Sequence, residues 1–373
     1  RGRRIAAARS ELGHYGWDID HPCHAIELAV GCSVGCGFCA FNAGKLDTVF
    51  DFTQPENQAL LRSVAQGMVD KLGWPAAHGM LYWNTEPKDN PHYVEMLGMW
   101  EEITGAALCT ATARGSDEAW VARLMDFYRR FPAPWPRISV LSKKIMYRLH
   151  KRFTPLELRD LTMLMQQSDG DDLHDKVPGG RERMLKQLIE ADSLHKVADP
   201  ENPPADLDVP QGSIACISGF LVNMVEKSIK LISPCYTTWE HTYGYRTFDE
   251  ATFTGPEDFA TVLQAMIDRS MVEAPYEAMP VAFRDDLQYR PREDGFTVVS
   301  PNCHHTFRAN PGHKALGDLV ARGDLTYGEI CDRLIDDHAV SPLTAGMMLR
   351  HLFDKGYLDE LAITADYRAR REG

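Results

Sequence analysis

The chain has 373 residues, 44% of them apolar and 25% charged, and a formal net charge of −13. That length predicts one large domain and one small one with ample core, and the acidic balance argues against a surface built to track nucleic-acid phosphates. No apolar run approaches the roughly 20 residues of a membrane helix, and the Arg-rich stretch RGRRIAAARSEL lacks an apolar signal core. Nine cysteines, an odd and thinly spread number, read as reduced thiols, so the expected location is cytoplasmic.

Residues 25–30, AIELAV, read as a buried strand, followed by a loop with Cys32, Cys36 and Cys39. Residues 57–74 carry apolar positions at helical spacing and predict the crossover helix. Strand 79–87, helix 92–104, strand 106–112, helix 116–130 with Ser116 as N-cap, and strand 137–142 follow in alternation. The basic stretch from Arg137 to Arg152 reads as a strand end and a solvated helix face. Residues 153–211 predict a helical insertion or lid, then strands at 213–222 and 228–236 and a helix at 256–271. Six strand–helix units predict an α/β fold, a partial (β/α)6 TIM-type barrel over residues 1–284. After a linker at 283–294, a β-ribbon at 295–310 and three short helices outline a winged-helix-like domain, its start placed near 285 and its end at 373.

Three thiols within eight residues pose a question of coordination. Structural zinc is almost always four-coordinate, and His21, Cys23 and His24 are the nearby candidates for a fourth ligand. A redox Cys36–Cys39 pair leaves Cys32 without a role. An iron–sulfur cubane held by three thiolates keeps one iron open for an exogenous ligand. Gly31, Gly35 and Gly37 suit such a loop, because they allow positive φ and present N–H groups to sulfides. Phe38 stands where it shields a cluster and faces an adenine.

The spacing C-x3-C-x2-C with this aromatic, after the first strand, resembles the radical S-adenosylmethionine (SAM) signature. That resemblance implies one [4Fe–4S] cluster on Cys32, Cys36 and Cys39, SAM on the open iron, and a low-potential electron donor such as a flavodoxin or ferredoxin. The family's Gly-Gly-Glu-like turn after strand 2 corresponds to Asn84, Thr85 and Glu86, both glycines being replaced, with Glu86 at the methionyl ammonium. Ser139 or Ser142 corresponds to the ribose contact, and the strand around Gly219 and Asn223 to the adenine contact.

The dispersed cysteines contain no second cluster motif, and a cobalamin domain before Cys32 is not expected. GCSVGCGFCAF, SGFLVNMVEKSIKLISPCYTT and YGYRTFDEATF together resemble the polytheonamide-type peptide epimerases. That family makes D-residues in a ribosomal precursor peptide by abstracting a Cα hydrogen and returning one from a thiol on the opposite face. The winged-helix outline resembles leader-binding domains, which take the leader as an added strand. Cys235 is the expected hydrogen-atom donor, at the predicted C-terminal end of a barrel strand, with Cys303 as runner-up. Cys109 and Cys216 read as core, and Cys331 lies on a tail helix. The aromatic run from Tyr236 to Arg246 is a candidate peptide groove, whereas His304 and His305 read as a solvated turn. Three alternatives stay open: a radical SAM crosslinking or cyclising enzyme, a zinc-stabilised peptide-binding protein, and a radical SAM enzyme for RNA or a small metabolite. Neither a membrane nor a nucleic acid is an expected partner.

Overall fold

The computed structural model describes residues 1–36, 39, 41–165, 215–238, 241–308 and 312–372. Two helices, α1 (Gly2–Leu12) and α2 (His14–Asp18), precede the buried strand β1 (His24–Glu27). The apolar run then steps sideways into β2 (Ala29–Val30), which pairs with β3 (Thr48–Val49) across the three-cysteine loop. Helix α3 (Pro55–Leu72) starts with proline in its first turn and stops at Gly73, whose φ of 66° suits glycine. Its buried face of Leu60, Leu61, Val64 and Met68 follows helical spacing, and each such side chain contributes about 1.5–3 kcal/mol on burial.

The alternation continues through β4 (Gly79–Met80), α4 (Tyr93–Thr104), β5 (Ala111–Thr112), α5 (Glu118–Tyr128), β6 (Arg137–Val140) and α6 (Lys143–Arg152). Strand 79–87 is thus reduced to two residues, and its remainder is a loop that carries polar side chains. The N-cap of α5 is Asp117 rather than Ser116, because the Asp117 carboxylate accepts the Trp120 N–H at 3.0 Å.

The expected insertion begins differently. After the single turn α7 (Pro155–Leu158), closed by a Thr154–Glu157 capping box, residues 162–165 form the strand β7 (Thr162–Met165), parallel to β6. The remainder of that insertion, 166–211, lies outside the described residues. Next come β8 (Gly219–Asn223), β9 (Ser228–Pro234), β10 (Tyr245–Thr252) and α8 (Phe259–Ser270). Strands β8, β9 and β10 form an antiparallel meander instead of continuing βα units. The chemistry is simple: only Met224 to Lys227 separate β8 from β9, too few residues for a parallel crossover.

One sheet has the order β10-β9-β8-β1-β4, and another the order β5-β6-β7. A parallel bridge from Met80 to Cys109 links them, so six parallel strands succeed one another as β8-β1-β4-β5-β6-β7. The architecture is mixed α/β. The sixth parallel strand sits beside the first rather than at the far end of a six-unit series. One sheet face, with Ile26, Phe220, Val222 and Leu231, packs under α3, α4 and α8, and the other carries Ala25, Met80, Leu221 and Ile232.

A second core begins at Val272 and Met279. Its elements are β11 (Pro280–Val281), β12 (Gln288–Arg292), β13 (Gly295–Ser300), β14 (Cys303–Phe307), α9 (His313–Val320), β15 (Leu325–Thr326), α10 (Tyr327–Asp336), α11 (Pro342–Asp354) and α12 (Glu360–Glu372). The ribbon is therefore three-stranded, because residues read as linker form β12, and a fourth helix follows the three expected. This part is tied to α1 by Glu360, which accepts from Arg3 at 2.5 Å and from Arg4 at 3.1 Å.

Candidate functional site

The three cysteines lie beyond the C-terminal end of β1. Gly31 has a φ of 80°, and a Cβ there would sit 2.0 Å from the Lys45 carbonyl oxygen. Only glycine lets the returning strand close the loop so tightly. Cys32 N–H then donates to the Gly44 carbonyl at 3.0 Å and Cys39 N–H to the Cys36 carbonyl at 3.2 Å, bending the loop around its own sulfurs. Backbone N–H groups approach those sulfurs, Val34 to Cys32 Sγ at 3.5 Å and Ala43 to Cys39 Sγ at 3.3 Å. Burial, the Cys32 and Cys39 thiols and Glu86 push the Cys36 thiol up to about 11. Burial raises Cys32 likewise, with Asp89 and Glu86 adding to it. Three thiols within electrostatic reach of one another and of carboxylates repel as thiolates, a situation that bound cationic iron reverses.

Loops after two neighbouring strands, β4 and β5, converge on this turn. Asp89, after β4, accepts the Ser33 N–H at 2.9 Å and also the Ser33 hydroxyl. Arg114, after β5, donates to Ser33 Oγ at 2.6 Å and to its carbonyl at 3.2 Å. Glu86, only 4% exposed, accepts from Lys88 N–H at 3.1 Å, Ala113 N–H at 2.8 Å and the Thr112 hydroxyl. Burial raises its pKa against those donors. It therefore clamps the β4 loop to the end of β5. Thr85 is half-buried beside it, and Asn84 Oδ1 is buried with no hydrogen-bond partner among the described residues. Ser139 is half-buried in β6 and Ser142 is exposed at the start of α6. Phe38 lies outside the described residues.

Asn223 and Gly219 occupy opposite ends of β8. Asn223 faces Glu27 across the parallel β1–β8 pair and donates to Glu27 Oε2 at 3.0 Å. Gly219 is at the other end, where a Cβ would sit 2.0 Å from the Cys23 carbonyl. Its glycine serves strand packing, so the expected adenine contact at Gly219 is corrected.

The expected setting of Cys235 is corrected as well. β9 runs antiparallel to β8, so its C-terminal end lies at the edge where β1 and β8 begin. The Cys235 thiol is fully buried and donates to the Tyr236 carbonyl at 3.3 Å. Burial drives its pKa up, opposed by Arg246 and reinforced by Glu11. What joins this stretch to the cysteine loop is a series of aromatic rings. Phe41 lies 4.8 Å from Trp83, Trp83 6.4 Å from Tyr245, and Tyr243 stacks 6.1 Å from Tyr245 and 6.4 Å from Phe41. Trp239, from the same aromatic run, lies outside the described residues. Cys303 begins β14 in the second core, its N–H donating to Ser300 Oγ at 3.1 Å. Cys109 and Cys216 pack on the Ala25–Met80 face, and Cys331 packs against the second core.

The candidates for a fourth metal ligand are engaged elsewhere. His21 bonds Ser218 Oγ at 2.8 Å, Cys23 donates to the Pro75 carbonyl at 2.7 Å, and His24 bonds the Ala76 carbonyl at 2.8 Å. All three lie at or just before the start of β1, whose four residues span about 10 Å. Among the described residues, no three His, Cys, Asp or Glu side chains meet as a single ion requires.

Sequence reasoning missed Glu27, Ser33, Asp89 and Arg114. Glu27 had a signal, as the one acid within AIELAV. Burial raises its pKa to about 7, while the Asn223 amide and the Asn84 N–H hold the carboxylate. Asp89 and Arg114 sit in unremarkable loop sequence.

The family described as protein y4wI C-terminal domain matches residues 281–356. The uncharacterized protein y4wI of Sinorhizobium fredii (strain NBRC 101917 / NGR234) is 33% identical over 362 residues, 96% of this chain and 68% of that protein. The solved structure of BtrN in complex with AdoMet and 2-DOIA is 13% identical with a TM-score of 0.30, over 38% of this chain and 56% of that one. That likeness is too slight to assign fold or chemistry.

Proposed function

This chain belongs to the y4wI family, and on that footing we propose that it is a radical SAM enzyme that epimerises residues of a ribosomal precursor peptide. The observation that carries the reading is the loop beyond β1 that holds Cys32, Cys36 and Cys39, closed by the Cys32–Gly44 and Cys39–Cys36 backbone hydrogen bonds, with His21, Cys23 and His24 engaged at the other end of β1. A [4Fe–4S] cluster held there with one open iron, together with SAM, supplies a 5′-deoxyadenosyl radical.

The chain's own residues do the rest. Ser33, fixed by Asp89 and Arg114, holds the first turn of the loop. Asn84 Oδ1 and the remaining lone pair of Glu86 are the acceptors for a methionyl ammonium, and Ser139 or Ser142 is the hydroxyl for the ribose. Asn223 sits at the cysteine-loop end of its strand, and the rings of Phe41, Trp83, Tyr243 and Tyr245 form the wall against which a peptide lies. The hydrogen-atom donor is proposed to be a protonated thiol. The expected Cys235 is fully buried at the sheet edge opposite the cysteine loop and does not fit that place. With that radical supplied, the Cα hydrogen would pass to it, the S–H hydrogen of the donor thiol would pass to Cα, and the resulting thiyl would take one electron from a flavodoxin- or ferredoxin-like protein and one proton from water. The leader segment is proposed to add as a strand to the β12-β13-β14 sheet.

The test is anaerobic reconstitution with iron and sulfide. Brown protein that cleaves SAM under dithionite and places a single deuterium on each converted residue in D2O is the expected result. Colourless protein with one bound zinc overturns the cluster. Loss of two hydrogens from the peptide overturns epimerisation in favour of a crosslink.

A further inference from the structure

Helix α6 carries Lys143, Lys144, Arg148, Lys151 and Arg152 with no acid among its ten residues, in a chain whose net charge is −13. Ile145 and Leu149 are its buried contacts. Helical spacing of 100° per residue puts Lys143, Lys144, Tyr147, Arg148 and Lys151 together on the opposite face, all exposed, with Tyr147 70% exposed. Among the described residues, the only one of the five cations in an ion pair is Arg152, 3.4 Å from Glu118. Like charges at i and i+4, as in Lys144–Arg148, destabilise a helix. Nothing in the described fold offsets that cost.

The helix is also well placed. It starts directly after β6, one of the parallel strands, on the side where the cysteine loop leaves β1. Ile145 lies so close to Gly115 that a Cβ there would be 3.1 Å from it, and the neighbouring Arg114 donates to Ser33, next to Cys32. Ile145 belongs to the buried face, so a protein seated on the outer face of α6 would be separated from that loop by one helix diameter, roughly 10 Å.

We infer that this face of α6 is the docking surface for an acidic protein that carries single electrons. The inference rests on the proposed function, which requires electrons from outside the chain. Complementary charge would steer encounter, with exposed Tyr147 and Arg148 as the central anchors. One electron leaves the reduced carrier and one is taken up at the cysteine loop, with no bond made or broken. The helix offers a bilayer only one exposed ring.

The test is calorimetric binding of an acidic recombinant flavodoxin to the reconstituted chain at low and high salt. Wild type should bind at low salt and weaken as salt rises. The variant Lys143→Glu, Lys144→Glu, Arg148→Glu, Lys151→Glu should bind at least tenfold more weakly, and Tyr147→Ala several-fold more weakly at both salts. Bleaching of the visible absorbance by dithionite should match wild type in both, and far-UV circular dichroism should show that they fold. Equal flavodoxin binding by wild type and the charge variant overturns the inference. Binding of an anionic phospholipid vesicle or a duplex oligonucleotide through these residues, without flavodoxin binding, also overturns it. Colourless protein that still binds flavodoxin through α6 would instead count against the proposed function alone.

Discussion

Asn223 donates its side-chain N–H to Glu27 Oε2 at 3.0 Å, joining the ends of two parallel strands next to the cysteine loop. Burial lifts Glu27 from 4.5 to about 7. A carboxyl raised in the folded state adds stability that is complete below its unfolded pKa and is lost as pH rises through the folded value. Stability should therefore fall between about pH 4.5 and 7, by up to about 3 kcal/mol from this group. Glu27→Gln keeps an acceptor for Asn223 and should flatten that limb in denaturant melts across pH. An unchanged slope would remove Glu27 as its source.

On the acid side the same reasoning reverses. Burial lowers His21 and His24 to about 4, so each must stay neutral to remain inside. Their contribution is complete above the ordinary histidine value of 6.5 and is lost as pH falls toward 4. His24→Leu, which removes the titrating ring, should shift the acid unfolding midpoint downward. A midpoint that stays put would assign acid unfolding to other groups.

Replacing Cys32, Cys36 or Cys39 singly with Ala should abolish stable iron retention after reconstitution, measured as iron per chain and visible absorbance. Arg114→Ala should leave the thiols in place and Ser33 held by Asp89 alone, so iron is retained but lost faster to a chelator. Equal chelator rates in Arg114→Ala and wild type would show that the clamp on Ser33 is irrelevant to the loop.

Cys235→Ala should leave both SAM cleavage and D-residue formation in place, because that thiol is buried at the sheet edge opposite the cysteine loop. Loss of D-residues with SAM cleavage intact in this variant would restore Cys235 as the donor.

Glu360 is buried, and Arg3 and Arg4 overcome the burial that would otherwise raise its pKa. Glu360→Ala leaves Arg4, 4% exposed, short of a countercharge and should cost about 3–5 kcal/mol in urea unfolding. A loss below about 1 kcal/mol would mean that solvent reaches Arg4.

Local sequence was enough for whatever depends on spacing along the chain. The helices around Leu60–Met68 and Trp120–Met125 follow from apolar period, and the cysteine loop from three thiols among glycines. Strand partnership was not legible in this way, because an apolar run pairs equally well in either direction. The four residues between β8 and β9 impose antiparallel pairing, which moved Cys235 to the opposite edge and put Gly219 and Asn223 at different ends of one strand. Residues such as Asp89, Arg114 and Glu27 acquire meaning only when loops 50 to 80 residues apart, or strands nearly 200 apart, close on one another. Charge and hydrogen bonding act through space, and only tertiary contact brings those groups within range.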